Sequence, residues 1–191
     1  MTGEDTPGTP LDLGGITRHV VVMGVSGCGK TTVAHGIAQT TGLIFAEADD
    51  FHSRANVEKM RAGIPLDDAD RWPWLHDLAA WMGERALEGR STVIACSALK
   101  RAYRDLLRAG PPSLDFVHLD GPAEVIRARL STREGHYMPP SLLDSQIATL
   151  EPLASDERGV VLDVALAPDE LVAKAIAGLQ LADVRGSLPQ P

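Results

Sequence analysis

Five short apolar runs alternate along the chain with longer segments of helical period. The runs are His19-Val20-Val21-Val22-Met23, Leu43-Ile44-Phe45-Ala46, Thr92-Val93-Ile94-Ala95-Cys96, Phe116-Val117-His118-Leu119 and Val160-Val161-Leu162-Asp163-Val164. Short and rich in β-branched residues, they read as strands buried in a parallel sheet. Between them, residues 31–41 can form a helix that Gly42 would close. Leu75, Leu78, Trp81, Met82 and Ala86 share one face of a helix that should end before Gly89. Leu171, Val172, Ala175, Ile176 and Leu179 do the same behind Pro168, which suits a first turn. Strands alternating with helices predict an α/β domain whose parallel sheet is covered on both faces. Ligands of such sheets bind at the carboxyl ends of the strands, so candidate chemistry is sought in the residues just after each run.

With 191 residues the chain suits one domain. Residues 1–17 are rich in Gly, Thr, Pro and Asp and lack the basic and apolar parts of a signal peptide, so they read as a disordered tail. The domain is expected over 18–182, with a second tail over 183–191. The formal net charge of -8 disfavours a nucleic-acid partner. No apolar run reaches the length of a membrane span. Two cysteines, Cys28 and Cys96, have no zinc spacing and fit a reduced, cytoplasmic protein.

Directly after the first run stands Gly24-Val25-Ser26-Gly27-Cys28-Gly29-Lys30-Thr31, a complete G-x-x-x-x-G-K-[ST] phosphate loop. Strand, glycine-rich loop and helix N-terminus together offer several backbone N–H groups and a favourable dipole to one anion. Gly24, Ser26, Gly27, Cys28, Gly29 and Thr32 are therefore expected to line a nucleotide site. Lys30 would reach the β- and γ-phosphates, and the Thr31 hydroxyl would ligate Mg²⁺.

The second run leads into Glu47-Ala48-Asp49-Asp50-Phe51-His52. Phosphoryl transfer needs a carboxylate to accept or orient the attacking hydroxyl, and acidic groups to organise the metal's waters. Strand alternation would put Glu47 and Asp49 on one side, with Asp49 in the first role and Glu47 in the second. The third run leads into Ser97-Ala98-Leu99-Lys100. Ser97 could cap the next helix or touch substrate, and Lys100 could pair with an anionic substrate. After the fourth run, Arg129 and Arg133 sit four apart, ahead of the Gly/Pro-rich segment Glu134-Gly135-His136-Tyr137-Met138-Pro139-Pro140. They suggest a lid over 129–145 that closes on a triphosphate. An insertion over 50–74, dense in Arg, Asn, Asp and Trp, suggests a substrate-binding subdomain: a short helix ended by Gly63, a turn, and the start of the Trp-bearing helix.

These blocks resemble the gluconate kinase family. The resemblance rests on Asp49-Asp50-Phe51-His52, Asn56, Lys59-Met60, Gly63-Ile64-Pro65-Leu66, Asp68, Asp70-Arg71 and Pro73-Trp74-Leu75. It continues through Cys96-Ser97-Ala98-Leu99-Lys100, Tyr103-Arg104-Asp105, Arg129-Leu130, Arg133 and Gly135-His136. It implies a P-loop kinase fold with a five-stranded parallel sheet sandwiched by helices, a lid and a substrate-binding insertion. It also implies phosphorylation of the 6-hydroxyl of D-gluconate with ATP and Mg²⁺, and allows a homodimer. Asp49 would be the base. Arg71, Ser97 and Lys100, with His52 and His136, would contact substrate; Arg129 and Arg133 would hold ATP phosphates, Arg133 aiding transfer. Glu47 stands where the related pattern has Asp. A kinase of the same fold for shikimate or another small sugar acid is the alternative, although Ser97-Ala98-Leu99 replaces the Gly-Gly-Gly turn expected for shikimate. An ATP-dependent regulatory module would not need Asp49, Lys100 and paired arginines together.

Overall fold

The structure, a computed structural model, describes residues 17–131 and 140–181. All five predicted strands form: β1 (His19–Met23), β2 (Ile44–Glu47), β3 (Thr92–Ala95), β4 (Leu114–Asp120) and β5 (Gly159–Asp163). They pair in the order β2-β3-β1-β4-β5, each neighbour parallel to the next. Parallel neighbours cannot be joined by tight turns, so each connection crosses a face of the sheet. The crossings include α1 (Lys30–Thr41), α3 (Asp68–Leu87), α4 (Arg101–Arg108) and α5 (Ala123–Ser131), while α7 (Pro168–Gly178) comes after β5. Two further helices, α2 (Arg54–Arg61) and α6 (Pro140–Thr149), lie within connections.

The period of two along the strands divides the core into two layers. Val20, Val22, Val93, Ala95, Val117 and Leu119 pack with Val33 and Ile37 of α1 and Leu171 and Ala175 of α7. Val21, Met23, Ile94 and Phe116 pack with Trp74, Leu75, Leu78 and Met82 of α3 and Leu107 of α4. Cys28 belongs to the first layer and Cys96 to the second, and both are buried free thiols. Burial pushes both thiols up, Cys96 to about 12, so neither is a reactive thiolate at neutral pH.

Two expectations change. Burial on both faces holds for β1, β3 and most of β4 but not for β5, whose edge position leaves Val161 56% exposed. β4 starts earlier than its apolar run, because Asp115 lies inside it, buried and paired with Arg18 at 2.8 Å and Arg158 at 3.1 Å. The Trp-bearing helix starts within the insertion, as expected, at Asp68, where Asp67 and Asp70 form a reciprocal capping box. No helix among the described residues is long and apolar enough to cross a membrane.

His19 on the central strand is fully buried, with Nδ1 2.9 Å from the Thr92 hydroxyl. Desolvation lowers its pKa from 6.5 to about 4. The unfolded chain therefore takes up a proton between pH 6.5 and 4 that the folded chain refuses, so stability falls as pH falls through that window. The loss attributable to His19 should reach about 3 kcal/mol near pH 4. A His19→Gln variant should show a flatter fall of denaturation midpoint across that window, and an unchanged slope would refute this origin.

Candidate active site

The loop after β1 turns sharply because it has glycine where side chains do not fit. Gly24 has φ +138, and a Cβ there would sit 2.6 Å from the Leu119 carbonyl oxygen. Its N–H donates to the Ser97 carbonyl at 3.3 Å, joining the loops that extend from β1 and β3. Gly29 precedes α1 at φ +102 with no atom within 4 Å of a Cβ position, which leaves open space against the backbone. No side chain caps α1 and no acidic residue occupies its first turn, so its leading N–H groups face an anion-sized space. Lys30 Nζ meanwhile donates to the Val25 carbonyl at 3.0 Å. The adjoining cleft is lined by Gly27, Cys28, Gly29, Thr32, Val33, Arg129, Pro168 and Leu171. The Arg129 guanidinium donates to the Val164 carbonyl at its rim.

The loop after β2 brings acid to this edge. Thr31 Oγ1 donates to Glu47 Oε2 at 2.9 Å. Burial pushes the Glu47 carboxyl up, and Asp49 and Asp50 act in the same direction against Thr31 and Lys30. Asp49 does not continue the strand, so alternation is not what places it: residues 48–51 form a 3-10 turn. That turn is pinned from below by Trp74, whose Nε1 donates to the Ala48 carbonyl at 2.7 Å. The Asp49 side chain is 79% exposed, while that of His52, with Nε2 3.9 Å from Asp49 Oδ1, is only 4% exposed. The His52 ring stacks on Trp74 at 4.4 Å. Burial lowers the His52 pKa, opposed by Asp49 and reinforced by Arg71.

Arg71, whose charge acts on His52, belongs to a second charged group. Lys100 Nζ donates to both oxygens of Asp68 at 3.0 and 2.8 Å, and Tyr103 Oη donates to Asp68 Oδ1 at 2.5 Å. Arg71 Nη1 approaches Asp68 Oδ1 at 3.4 Å and Tyr103 Oη at 3.3 Å. Lys100 gives α4 no side-chain cap, and Ser97 does not cap that helix as it could have done. Ala98, at φ 42, turns the chain away, α4 starts only at Arg101, and Glu151 Oε2 accepts the Arg101 N–H at 2.5 Å. The Ser97–Lys100 loop is held from inside by Arg104, which donates to the carbonyls of Ala98, Leu99 and Glu151 and to Glu157. Arg104 and Glu157 pair at 2.7 Å with both side chains fully buried. Burial alone would push the Glu157 carboxyl up; hydrogen bonds from Arg104 and the Ala154 N–H outweigh it and hold it low.

The structure thus brings together Gly24, Ser26, Gly27, Cys28, Gly29, Lys30, Thr31, Thr32, Glu47, Asp49, His52, Arg71, Ser97, Lys100 and Arg129 at the carboxyl edge of the sheet or on the elements flanking it. Arg133 and His136 lie outside the described residues, as does the central part of the expected lid. The insertion is α2 plus the first turns of α3, tied by Lys59 to Asp70 at 2.6 Å and by Asn56 Nδ2 to the Asp70 carbonyl at 3.0 Å. Reading by motif missed Asp68, Tyr103 and Gln146. The Gln146 amide oxygen accepts the Ser26 N–H of the phosphate loop at 2.7 Å. Asp68 and Tyr103 stand within the family-like blocks, but only contact reveals what they do.

Removing Arg104 would leave the buried Glu157 charged, with only the Ala154 N–H and Arg101 at 3.7 Å to answer it, and breaking a buried pair in this way typically costs about 3–5 kcal/mol. Arg104→Met should lower the denaturation midpoint accordingly, with loss of turnover as the Lys100 loop loosens. A variant of near wild-type stability would show that this pair does not hold the loop.

Residues 20–153 match a family described as AAA domain. A gluconokinase from Gluconobacter oxydans (strain 621H) is 48% identical over 166 residues, covering 87% of this chain and 93% of that protein. An unliganded sugar kinase structure from Janibacter sp. HTCC2649 is 64% identical, with TM-score 0.84 over 88% of this chain and 98% of its own. A gluconokinase structure from Sinorhizobium meliloti 1021 is 47% identical, with TM-score 0.77 over 88% of this chain and 95% of its own. Identity of this order across nearly the whole domain, on top of an intact phosphate loop, makes the chain a nucleotide-using kinase that belongs to the gluconokinase family.

Proposed function

We propose that this kinase transfers the γ-phosphoryl group of ATP to the 6-hydroxyl of D-gluconate, giving 6-phospho-D-gluconate and ADP. One arrangement carries the reading: Lys30, Glu47 and Asp49 gather at the phosphate loop, and His52 lies within the fields of both Asp49 and Arg71, an acid and a cation in one neighbourhood. That combination suits an acid with its hydroxyl at Asp49 and its carboxylate at Arg71.

The residues present also fit Mg²⁺. Thr31 and Glu47 already touch at 2.9 Å, and the Glu47 carboxyl is crowded by two other acids. An ion at this place would be held by one or two protein groups, with phosphates and water completing its shell. The metal would neutralise charge on the phosphates between which the bond breaks. Thr31 and Glu47 would orient it, Glu47 directly or through a water.

Asp49 accepts the proton of the attacking hydroxyl, and its exposed position leaves room for substrate to approach. Lys30 leaves the Val25 carbonyl to neutralise developing charge on the transferred group. Ser26, Gly27, Cys28, Gly29 and Thr32 hold the phosphates through the loop and the first turn of α1, and Arg129 flanks the nucleotide cleft. Arg133 adds transition-state charge, and Ser97, His52 and His136 contact the polyol. Free, buried thiols fit a cytoplasmic setting.

Lys30→Ala should fold and lose nearly all turnover. Asp49→Asn should lower kcat by about 100-fold or more with little change in gluconate KM; a change confined to KM would make Asp49 a binding residue and demand another base. Arg71→Ala should raise gluconate KM strongly, since truncating one partner of a bound charge pair costs about 2–5 kcal/mol, while ATP KM stays near wild type. The deciding assay is ATP turnover against gluconate, other sugar acids, shikimate and sorbitol. Efficient phosphorylation of neutral sorbitol would overturn the assigned mode of recognition.

A further inference from the structure

We propose that Asp68 determines the charge of the acceptor site: it neutralises Lys100, so that Arg71 provides the single unmatched positive charge for the substrate's carboxylate. The proposal rests on the reading of Arg71 as the carboxylate partner and divides the work between two cations that the sequence treats alike.

The contacts are unequal. Lys100 Nζ lies within hydrogen-bonding distance of both Asp68 oxygens, at 3.0 and 2.8 Å. Arg71 meets Asp68 through Nη1 alone, at 3.4 Å. A lysine is a compact point charge, and one so closely paired has little left to offer a second anion. An arginine presents five donors in a fork, and Arg71 spends one terminal nitrogen at long range on Asp68 and Tyr103. The rest of its fork suits a carboxylate, which it can grip with two parallel bonds.

The charge count agrees. Arg71 and Lys100 contribute two positive charges and Asp68 one negative, which leaves a single positive charge. Of the neighbouring acids, Asp70 is paired with Lys59, and Asp67, in the capping box that starts α3, acts on Lys59 as well. A site with one unmatched positive charge selects a monocarboxylic polyol over both neutral polyols and doubly charged acids. The Lys100 ammonium is held protonated by Asp68, and the Asp68 carboxyl is held low by Lys100 and Tyr103. Tyr103 fixes Asp68 on this side, with Arg71 and Lys100 both lying against its ring at 5.9 and 5.4 Å. Asp68 is a specificity-determining residue and touches no reacting atom.

A double-mutant cycle on the full chain tests the assignment. Lys100→Met strips Asp68 of its counterion and places a bare carboxylate beside the incoming one, so gluconate KM should rise by at least about tenfold while ATP KM holds. In the Asp68→Asn background the same lysine change removes no counterion, and the rise should shrink by about tenfold or more. Equal losses in both backgrounds would show that Lys100 binds the carboxylate itself and would overturn the proposal. A second measurement needs no acceptor: competitive labelling of Lys100 with acetic anhydride, read by mass spectrometry. Asp68→Asn should increase labelling of Lys100 relative to exposed lysines, and unchanged labelling would also overturn the proposal. Wild-type protein that phosphorylates no gluconate would refute the acceptor reading, and labelling would still decide whether Asp68 neutralises Lys100.

Discussion

Close approach of backbone at the end of β1 governs the geometry of this site. The strand is buried along its whole length and pairs in parallel with β3 on one side and β4 on the other. Its chain must leave the sheet beside the Leu119 carbonyl, where a Cβ has no room, and Gly24 supplies that room. The Gly24 N–H then engages the Ser97 carbonyl, and the loop after β3 becomes the wall of the phosphate loop. α1 starts immediately afterwards with no side-chain cap, which leaves its leading N–H groups for an anion.

Around that anion site the charges are arranged in two groups, supported differently. Lys30, Thr31, Glu47 and Asp49 stand on the loops after β1 and β2, with Trp74 bracing the Asp49 turn through the Ala48 carbonyl. Asp68, Arg71, Lys100 and Tyr103 stand where α3 and α4 meet. The second group depends on a buried ion pair. Arg104 satisfies the carbonyls of the Ala98–Leu99 bend, and Glu157 neutralises it. A buried pair of this kind contributes little net stability against an apolar replacement, and its use here is to hold a strained bend in one conformation.

The architecture and the placement of the candidate residues were legible in the sequence because both leave local records. Runs of β-branched residues mark the strands, the period of 3.6 marks α3 and α7, and the phosphate loop is contiguous by necessity. Asp49, Arg71 and Lys100 could be singled out as candidates because each stands just after a strand or in the insertion between strands. The boundary of β4 shifted because a charged residue had a distant partner, as Asp115 has in Arg18.

What only the tertiary structure decided is how those residues pair. Gln146 reaches the Ser26 N–H across a separation of 120 residues, Arg104 reaches Glu157 across 53, and Lys100 reaches Asp68 across 32. No spacing along the chain encodes such contacts, since they depend on which helices cross the sheet side by side. Local sequence determined that acids, cations and a phosphate loop would share one edge of a parallel sheet. Packing of α3 against α4 decided that Lys100 would meet a carboxylate of its own chain, because a lysine's charge goes to the nearest partner that packing provides.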